Sequence, residues 1–295
     1  MRLAAAIDIG GTHTKLGIVD ERGAIIVRGR IETPRAGEPG PLVASITEEL
    51  RAVLATHAVE GVGVSVAGFL NPARDAMVGN ANLPALCNFP LRAALEERLG
   101  KPCRLEVDSN ASTIAEFRFG AGQGVARLLG IAIGTGVGGG VIIDGRLLRH
   151  TGECAGDLGH VIVAPTGRRC TCGATGCLEA MVCSAALAER AGGARVREVV
   201  AGARAGKQLF RDVLAERGDW LGLGLASLAP IFAPQRIVVG GGVASAGELL
   251  LDPARASFAG HAPQEFKTAV EIVGSTLEGW EGMIGAASQL LAPMD

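Results

Sequence analysis

Tyrosine is absent from this 295-residue chain, tryptophan occurs twice, and aromatic residues together make up 3% of it. Alanine and glycine take their place. With 44 glycines in a composition that is 48% hydrophobic, the profile is that of an α/β protein with many points where backbone must come close to something else. No charge of one sign predominates either: the net charge is −2 with acidic and basic side chains intermixed, which offers no broad field to nucleic acid or an anionic membrane surface. No segment approaches the roughly 18 uninterrupted apolar residues of a membrane span. The opening MRLAAAIDIGGTHTK is broken by Asp8 and glycines before an export-signal core can form. A soluble, cytoplasmic protein is expected. An even complement of cysteines is also missing, and seven thiols in such a chain point to core fillers or metal ligands, not to a disulfide framework.

The length admits one large domain or two ordinary ones. Leu3 to Ile9 is apolar, Gly10-Gly11-Thr12 turns the chain, Lys15 to Asp20 is apolar again, and Gly23 precedes a third run, Ala24 to Val27. This reads as a β-meander opening an α/β domain. Apolar residues at helical spacing follow from Leu42 to Thr56, then a short buried strand at Val62 to Val66 and a helix at Leu91 to Leu99. Cys103 to Val107 makes a strand, and Asn110 to Phe119 a helix capped by Asp108 or Ser109. After Gly120 to Gly124 the pattern begins again, with Leu128 to Ile133, a turn at Gly134-Thr135-Gly136, and Gly140 to Ile143, so the second half echoes the first. A long amphipathic helix is expected from about Gln208 to Phe232. Beyond it come a strand Arg236 to Val239 running into Gly240-Gly241-Gly242, a helix from Ser245, a strand near Val270 to Val273 and a closing helix Met283 to Leu291. The expected division is a smaller α/β unit at 1–119, with a C-terminal helix at about 281–295 packing back on it, and a larger unit at 120–280.

Three glycine clusters invite a chemical reading. In Asp8-Ile9-Gly10-Gly11-Thr12, with Lys15 just beyond, bare amides and a hydroxyl at a tight turn can donate to phosphate oxygens, and Asp8 could hold a magnesium ion directly or through water. An ordinary glycine hairpin accounts for that pentapeptide alone equally well. Gly134-Thr135-Gly136-Val137-Gly138-Gly139-Gly140 repeats the chemistry with more glycine than a hairpin needs, and Gly240-Gly241-Gly242 could let a base or ribose pack on backbone, or simply form a sharp turn. None matches the P-loop or the dinucleotide fingerprint.

His160 followed by Cys170-Thr171-Cys172-Gly173-Ala174-Thr175-Gly176-Cys177 supplies one imidazole and three thiols on a glycine-punctuated loop, a Cys₃His set suited to a closed, structural Zn²⁺ site. The free imidazole nitrogen could still meet a substrate hydroxyl. Cys87, Cys103, Cys154 and Cys183 lack partner spacing and read as small hydrophobes.

Ala155-Gly156-Asp157-Leu158-Gly159-His160, the cysteine cluster and Leu178-Glu179 together resemble the ROK family of sugar kinases and repressors, in the actin/hexokinase-like ATPase superfamily, over essentially the whole chain. The resemblance implies two ribonuclease-H-like lobes that close over sugar and Mg-ATP, with a hinge near Gly120 to Gly124, a zinc-stapled loop and a homodimer. By position it implies Asp108 as catalytic base, Asn82, Asp157, His160 and Glu179 as sugar contacts, and His160, Cys170, Cys172 and Cys177 as zinc ligands. Asp8, Gly10, Gly11, Thr12 and Lys15 with Gly134, Thr135 and Gly136 fall on the phosphate and magnesium loops, and Gly240, Gly241 and Gly242 on the adenosine segment.

Three positions depart from the glucokinase pattern: Val107 stands where Asn is usual, Asp157 where Glu is usual, and Ala85-Leu86 replace Gly-Trp. A lost hydrogen bond to a sugar hydroxyl is worth about 0.5–1.5 kcal/mol. The expectation is thus a hexose kinase of glucokinase type, with a non-glucose sugar, amino sugar or cyclitol as the alternative acceptor. The family's repressors carry a DNA-binding helix-turn-helix before the first glycine loop. Here that loop begins at Asp8 and no basic recognition helix is visible, which argues against a nucleic-acid partner.

Overall fold

The computed structural model describes residues 1–34, 38–79, 83–149, 157–277 and 279–294. The chain opens with β1 (Leu3–Ile9), β2 (His13–Asp20), β3 (Ile25–Glu32), α1 (Pro39–Leu54) and β4 (Val62–Val66). A small hairpin of β5 (Phe69–Leu70) and β6 (Met77–Gly79) precedes α2 (Leu91–Leu99), β7 (Cys103–Val107) and α3 (Asp108–Phe119). Next come β8 (Leu128–Ile133), β9 (Val137–Ile143), β10 (Arg146–Leu147), α4 (Leu178–Val182), α5 (Ser184–Arg190), α6 (Val196–Arg204) and α7 (Gln208–Phe232). The chain closes with β11 (Arg236–Gly240), α8 (Glu248–His261), α9 (Gln264–Lys267), β12 (Glu271–Gly274) and α10 (Glu281–Leu291). No helix among the described residues is long and apolar enough to cross a membrane.

Two compact units emerge. One comprises Met1–Gly120, Arg146–Ala155 and Trp280–Asp295; the other comprises Ala121–Gly145 and Gly156–Gly279. One five-stranded sheet has the order β3-β2-β1-β4-β7, the other β10-β9-β8-β11-β12. In each, an antiparallel hairpin is followed by parallel strands: β1, β4 and β7 in the first, β8, β11 and β12 in the second. Loops that leave the carboxyl ends of parallel strands gather at one edge of a sheet, the usual place for ligands in α/β proteins.

The first sheet is covered on both faces. β4, sequence VGVSV, is buried at every residue, whereas edge strand β3 alternates between half-buried and exposed positions. That polar alternation explains why β3 runs on through Arg28 and Arg30 to Glu32, past the apolar stretch Ala24 to Val27: the ladder with β2 continues to Glu32 opposite His13. Against this sheet lies α10, whose small residues permit close approach. A Cβ on Gly63 would lie 2.1 Å from the Ala286 carbonyl oxygen, and one on Gly285 would lie 1.8 Å from that of Ala111 in α3.

In the second unit α7 crosses α8 at Gly218 and Gly222, where a Cβ would fall 2.5 Å and 2.2 Å from the Leu250 and Ala254 carbonyl oxygens. The starts of α3 and α8 also differ from expectation. α3 begins at Asp108 itself with Val107 as its N-cap, because the Glu106 carboxylate takes the Val107 N–H. After Gly242 a 3₁₀ turn, Val243–Ala246, precedes Gly247 at φ 63°, a left-handed conformation that postpones α8 to Glu248.

Candidate functional site

In the first unit the site is built at the carboxyl ends of β1, β4 and β7. Asp8, next to last in β1, accepts from the Ser65 hydroxyl of β4 (2.9 Å) and pairs with Lys15 Nζ of β2 (3.3 Å), its cross-strand partner. Lys15 Nζ also lies 5.8 Å from the centre of the Trp280 ring. Gly282 lets the first turn of α10 approach this carboxylate: a Cβ there would sit 2.5 Å from Asp8 Oδ1. An anion beside a helix N-terminus is electrostatically favoured. The Gly10 N–H donates to the His13 carbonyl (3.2 Å), closing the turn that carries Gly11 and Thr12.

Asp108 opens α3 directly after β7, and its Oδ1 accepts the Ser109 N–H at 2.7 Å. Although the residue keeps some accessible surface, packing strips water from its carboxyl. That desolvation, followed by the charge of Asp8, pushes its pKa up to about 7, against the downward pull of the backbone N–H groups of Ser109 and Asp108 itself. The two carboxylates therefore share one electrostatic neighbourhood. Just behind them Glu106, 1% exposed, receives Arg74 (2.8 Å), Arg149 (2.7 Å), Asn110 (3.2 Å) and the Val107 N–H (3.0 Å).

In the second unit Gly134-Thr135-Gly136 and Gly240-Gly241-Gly242 leave the adjacent parallel strands β8 and β11. The Gly134 N–H donates to the Gly136 carbonyl (2.8 Å). Gly241, at φ 88°, is pressed so closely on β8 that a Cβ would lie 2.5 Å from the Ile133 carbonyl oxygen. Past this loop opens a cavity of about 440 Å³ lined by Arg204, Arg211, Gly247, Glu248 and Asp252 among others. Arg204 is fixed at its rim by donating to the Ser245 carbonyl (2.9 Å).

His160, Cys170, Cys172 and Cys177 bring one ligand atom each within 4.8 Å of one another. Cys172 Sγ and Cys177 Sγ are 3.6 Å apart, and Cys170 Sγ lies 3.7 Å from His160 Nδ1. Ligands about 2.1–2.3 Å from a tetrahedral ion are separated by about 3.5–3.8 Å, so the set fits a four-coordinate metal. The loop closes because Gly176, at φ 79°, accepts the Val163 and Ala164 N–H groups (2.8 and 3.1 Å). The other imidazole nitrogen, Nε2, faces Asp157 Oδ2 at 3.4 Å. Burial raises the Asp157 pKa; His160 opposes this and Glu179 reinforces it.

Glu179 bridges the ligand loop and the first glycine loop of this unit: Oε2 accepts the Val137 N–H (2.9 Å) and Oε1 the Thr171 hydroxyl (3.3 Å). A Cβ on Gly136 would come 2.5 Å from its Oε2. Asn82 and Cys154 lie outside the described residues, as do Ala155 and Gly156 of the motif. Sequence reading did not single out Ser65, Glu106, Arg149 or Gly282. The available signal was Glu106, an acid in the short strand CRLEV, where it is buried together with Cys103 and Leu105.

A family model described as ROK family matches residues 4–292. The chain is 32% identical to a glucokinase of Streptomyces coelicolor, with 99% of each chain covered, and 32% identical to an N-acetylmannosamine kinase of Salmonella typhi, with 98% of each covered. Its fold superposes on the crystal structure of a glucokinase from Streptomyces griseus in complex with glucose and AMPPNP with a TM-score of 0.87, at 34% identity and over 97% of this chain and 98% of that one.

Proposed function

The chain belongs to the ROK family, and from that premise we propose that it is an ATP-dependent sugar kinase, which moves the γ-phosphoryl group of ATP onto a hydroxyl of a hexose. On the chain's own residues, the observation that carries this reading is Asp108, a carboxyl held just past the carboxyl end of edge strand β7, with its pKa pushed up to about 7 by loss of water and by the charge of Asp8. A base works best with a pKa near the working pH. The acceptor hydroxyl gives its proton to Asp108, its oxygen forms the new bond to the γ-phosphorus, and the bond to the β,γ-bridging oxygen breaks, so that ADP leaves with that electron pair.

The turn amides of Gly10, Gly11 and Thr12, with Lys15, and those of Gly134, Thr135 and Gly136 are suited to hold phosphate oxygens in line. Gly240, Gly241 and Gly242, with the cavity beyond them, suit the nucleoside. Asp8 would hold magnesium, which neutralises charge on the transferring phosphate when bound. His160, Cys170, Cys172 and Cys177 would hold zinc; with all four positions filled by protein, it would supply a structural cross-link. Asn82, Asp157, His160 and Glu179 are the proposed acceptor contacts. The repeated strand order supports reading the two units as ribonuclease-H-like lobes; the expected division at 1–119 with the C-terminal helix and 120–280 differs from the units in the segment Arg146–Ala155, which goes with the first. A cytoplasmic homodimer completes the proposal.

Val107 favours a second reading of the acceptor alone. It presents no side-chain donor next to Asp108, and its N–H is occupied by Glu106. An amino sugar, another non-glucose sugar or a cyclitol would then replace glucose. A coupled ADP-release assay with Mg-ATP against glucose, mannose, N-acetylmannosamine, N-acetylglucosamine and inositol separates the readings. Dominant turnover of glucose supports the first, turnover of another member of the panel the second, and no sugar-dependent ADP from any acceptor would remove the kinase proposal.

A further inference from the structure

Glu106 is a charged residue where the strand has no need of one. It occupies a buried position of β7, and its side chain is 2% exposed. Cys103, Leu105 and Val107 of the same strand join the apolar cluster while Glu106 meets polar partners, and a buried ion pair is weak evidence for stability, since replacing the whole set by well-packed hydrophobic residues is often neutral or stabilising. Stability alone therefore does not account for the carboxylate, and its contacts suggest another role.

The carboxylate is saturated by donors from four places in the chain. Oε1 accepts the N–H of Val107 (3.0 Å) and the Asn110 amide (3.2 Å) and lies 2.8 Å from Arg74 Nη2, while Oε2 accepts from Arg149 Nη1 at 2.7 Å. Val107 immediately precedes Asp108, and Asn110 follows two residues later in the first turn of α3. One side chain thus grips the backbone before the base and the helix after it. The two guanidinium groups are themselves anchored, Arg74 to the Leu105 carbonyl (2.9 Å) and Arg149 to the Met294 carbonyl (3.1 Å). Arg74 is presented from a turn in which its own backbone is left-handed, at φ 54°, with its N–H donated to Asn71.

We propose that Glu106, clamped between Arg74 and Arg149, is a positioning residue that fixes the strand-to-helix junction so that Asp108 is held in line with the acceptor hydroxyl. The assignment rests on the kinase reading of Asp108. It needs no contact between Glu106 and substrate. Misplacement of a reacting group by about 1 Å costs on the order of 100-fold in rate.

Glu106→Gln keeps the shape and the acceptor for Val107 while removing the charge that holds both arginines. The expected result is a kcat lower by roughly 10- to 100-fold, with KM for Mg-ATP within about twofold of wild type. The acid limb of the kcat–pH profile should move by more than about half a pH unit, because a loosened Asp108 regains water. Glu106→Asp should recover part of kcat. Arg149→Met, which leaves Glu106 paired with Arg74, should show the same split at smaller size and decides the matter if Glu106→Gln does not fold. Wild-type kcat and an unshifted acid limb in the folded variants would overturn the proposal. So would a loss of activity that merely follows the folded fraction measured by thermal melting. Asp108→Asn assayed alongside separates the two readings: if it turns over normally the base assignment fails, whereas if it is inactive and Glu106→Gln behaves as wild type only the clamp fails.

Discussion

At Asp108 the requirements of chemistry and of folding oppose each other. Its carboxyl is held above the value it has in the unfolded chain, from 3.8 to about 7, so its contribution to stability is present in full below about pH 4 and is lost as the pH rises through about 7. Asp108→Asn, which retains an oxygen for the Ser109 N–H, should therefore raise the melting temperature at pH 8, a gain of about 1–3 kcal/mol. It should also lower phosphoryl transfer by about 100- to 10,000-fold. Thermal melts at pH 4 and pH 8 check the first half: the gain should shrink at the acid end. For the wild type, kcat/KM should climb with pH through a limb near 7, the range in which the free enzyme's base becomes ionised. Little of this was legible in the sequence, where an aspartate at a helix start is ordinarily a cap, and where nothing showed that packing would strip water from its carboxyl or that Asp8, a hundred positions earlier, would add to the shift.

Among the elements, α10 shows how a glycine can invert ordinary propensity. Alanine in place of glycine usually favours a helix by about 1 kcal/mol, yet at Gly282 the new methyl would meet the Asp8 carboxylate at 2.5 Å. Gly282→Ala should lower stability by about 1–3 kcal/mol and raise KM for Mg-ATP, since Asp8 must shift to make room. Urea melts and initial rates at varied Mg-ATP test both effects, and a stabilised variant with unchanged KM would contradict the packing argument. Apolar runs and spacing revealed the meander of β1 to β3, the strands β4, β7, β8 and β11 and the whole of α7. Other features stayed hidden for local reasons: the start of α8 depends on the left-handed Gly247, β3 extends through polar residues because its ladder does, and α4 to α6 are short. The relation between α10 and Asp8 joins the two ends of the chain, and no local pattern encodes it.

Across the molecule, the recurrence of one strand order in both sheets matches the repetition of apolar runs and glycine turns visible along the sequence. The metal set was legible for a different reason: its four ligands fall within 18 positions, from His160 to Cys177, and glycines allow the loop to close on itself. Arg74 and Arg149, reaching Glu106 from distant segments, had no such signature. Purified protein should carry about one zinc per chain by elemental analysis. Stripping it with a chelator, or Cys172→Ser, should lower the melting temperature and the activity together, because Glu179 ties the ligand loop to Val137 beside the glycine turn. Full activity and stability in a metal-free preparation would remove zinc from the account.

Phosphoryl transfer from ATP to a sugar hydroxyl with Asp108 as base can be watched directly in the ³¹P resonances of Mg-ATP with the acceptor selected by the assay panel, for wild type and Asp108→Asn in parallel. The wild type should form a sugar phosphate and ADP in equal amounts, and the variant neither above background. Release of free phosphate without sugar phosphate, or equal transfer by Asp108→Asn, would contradict this mechanism.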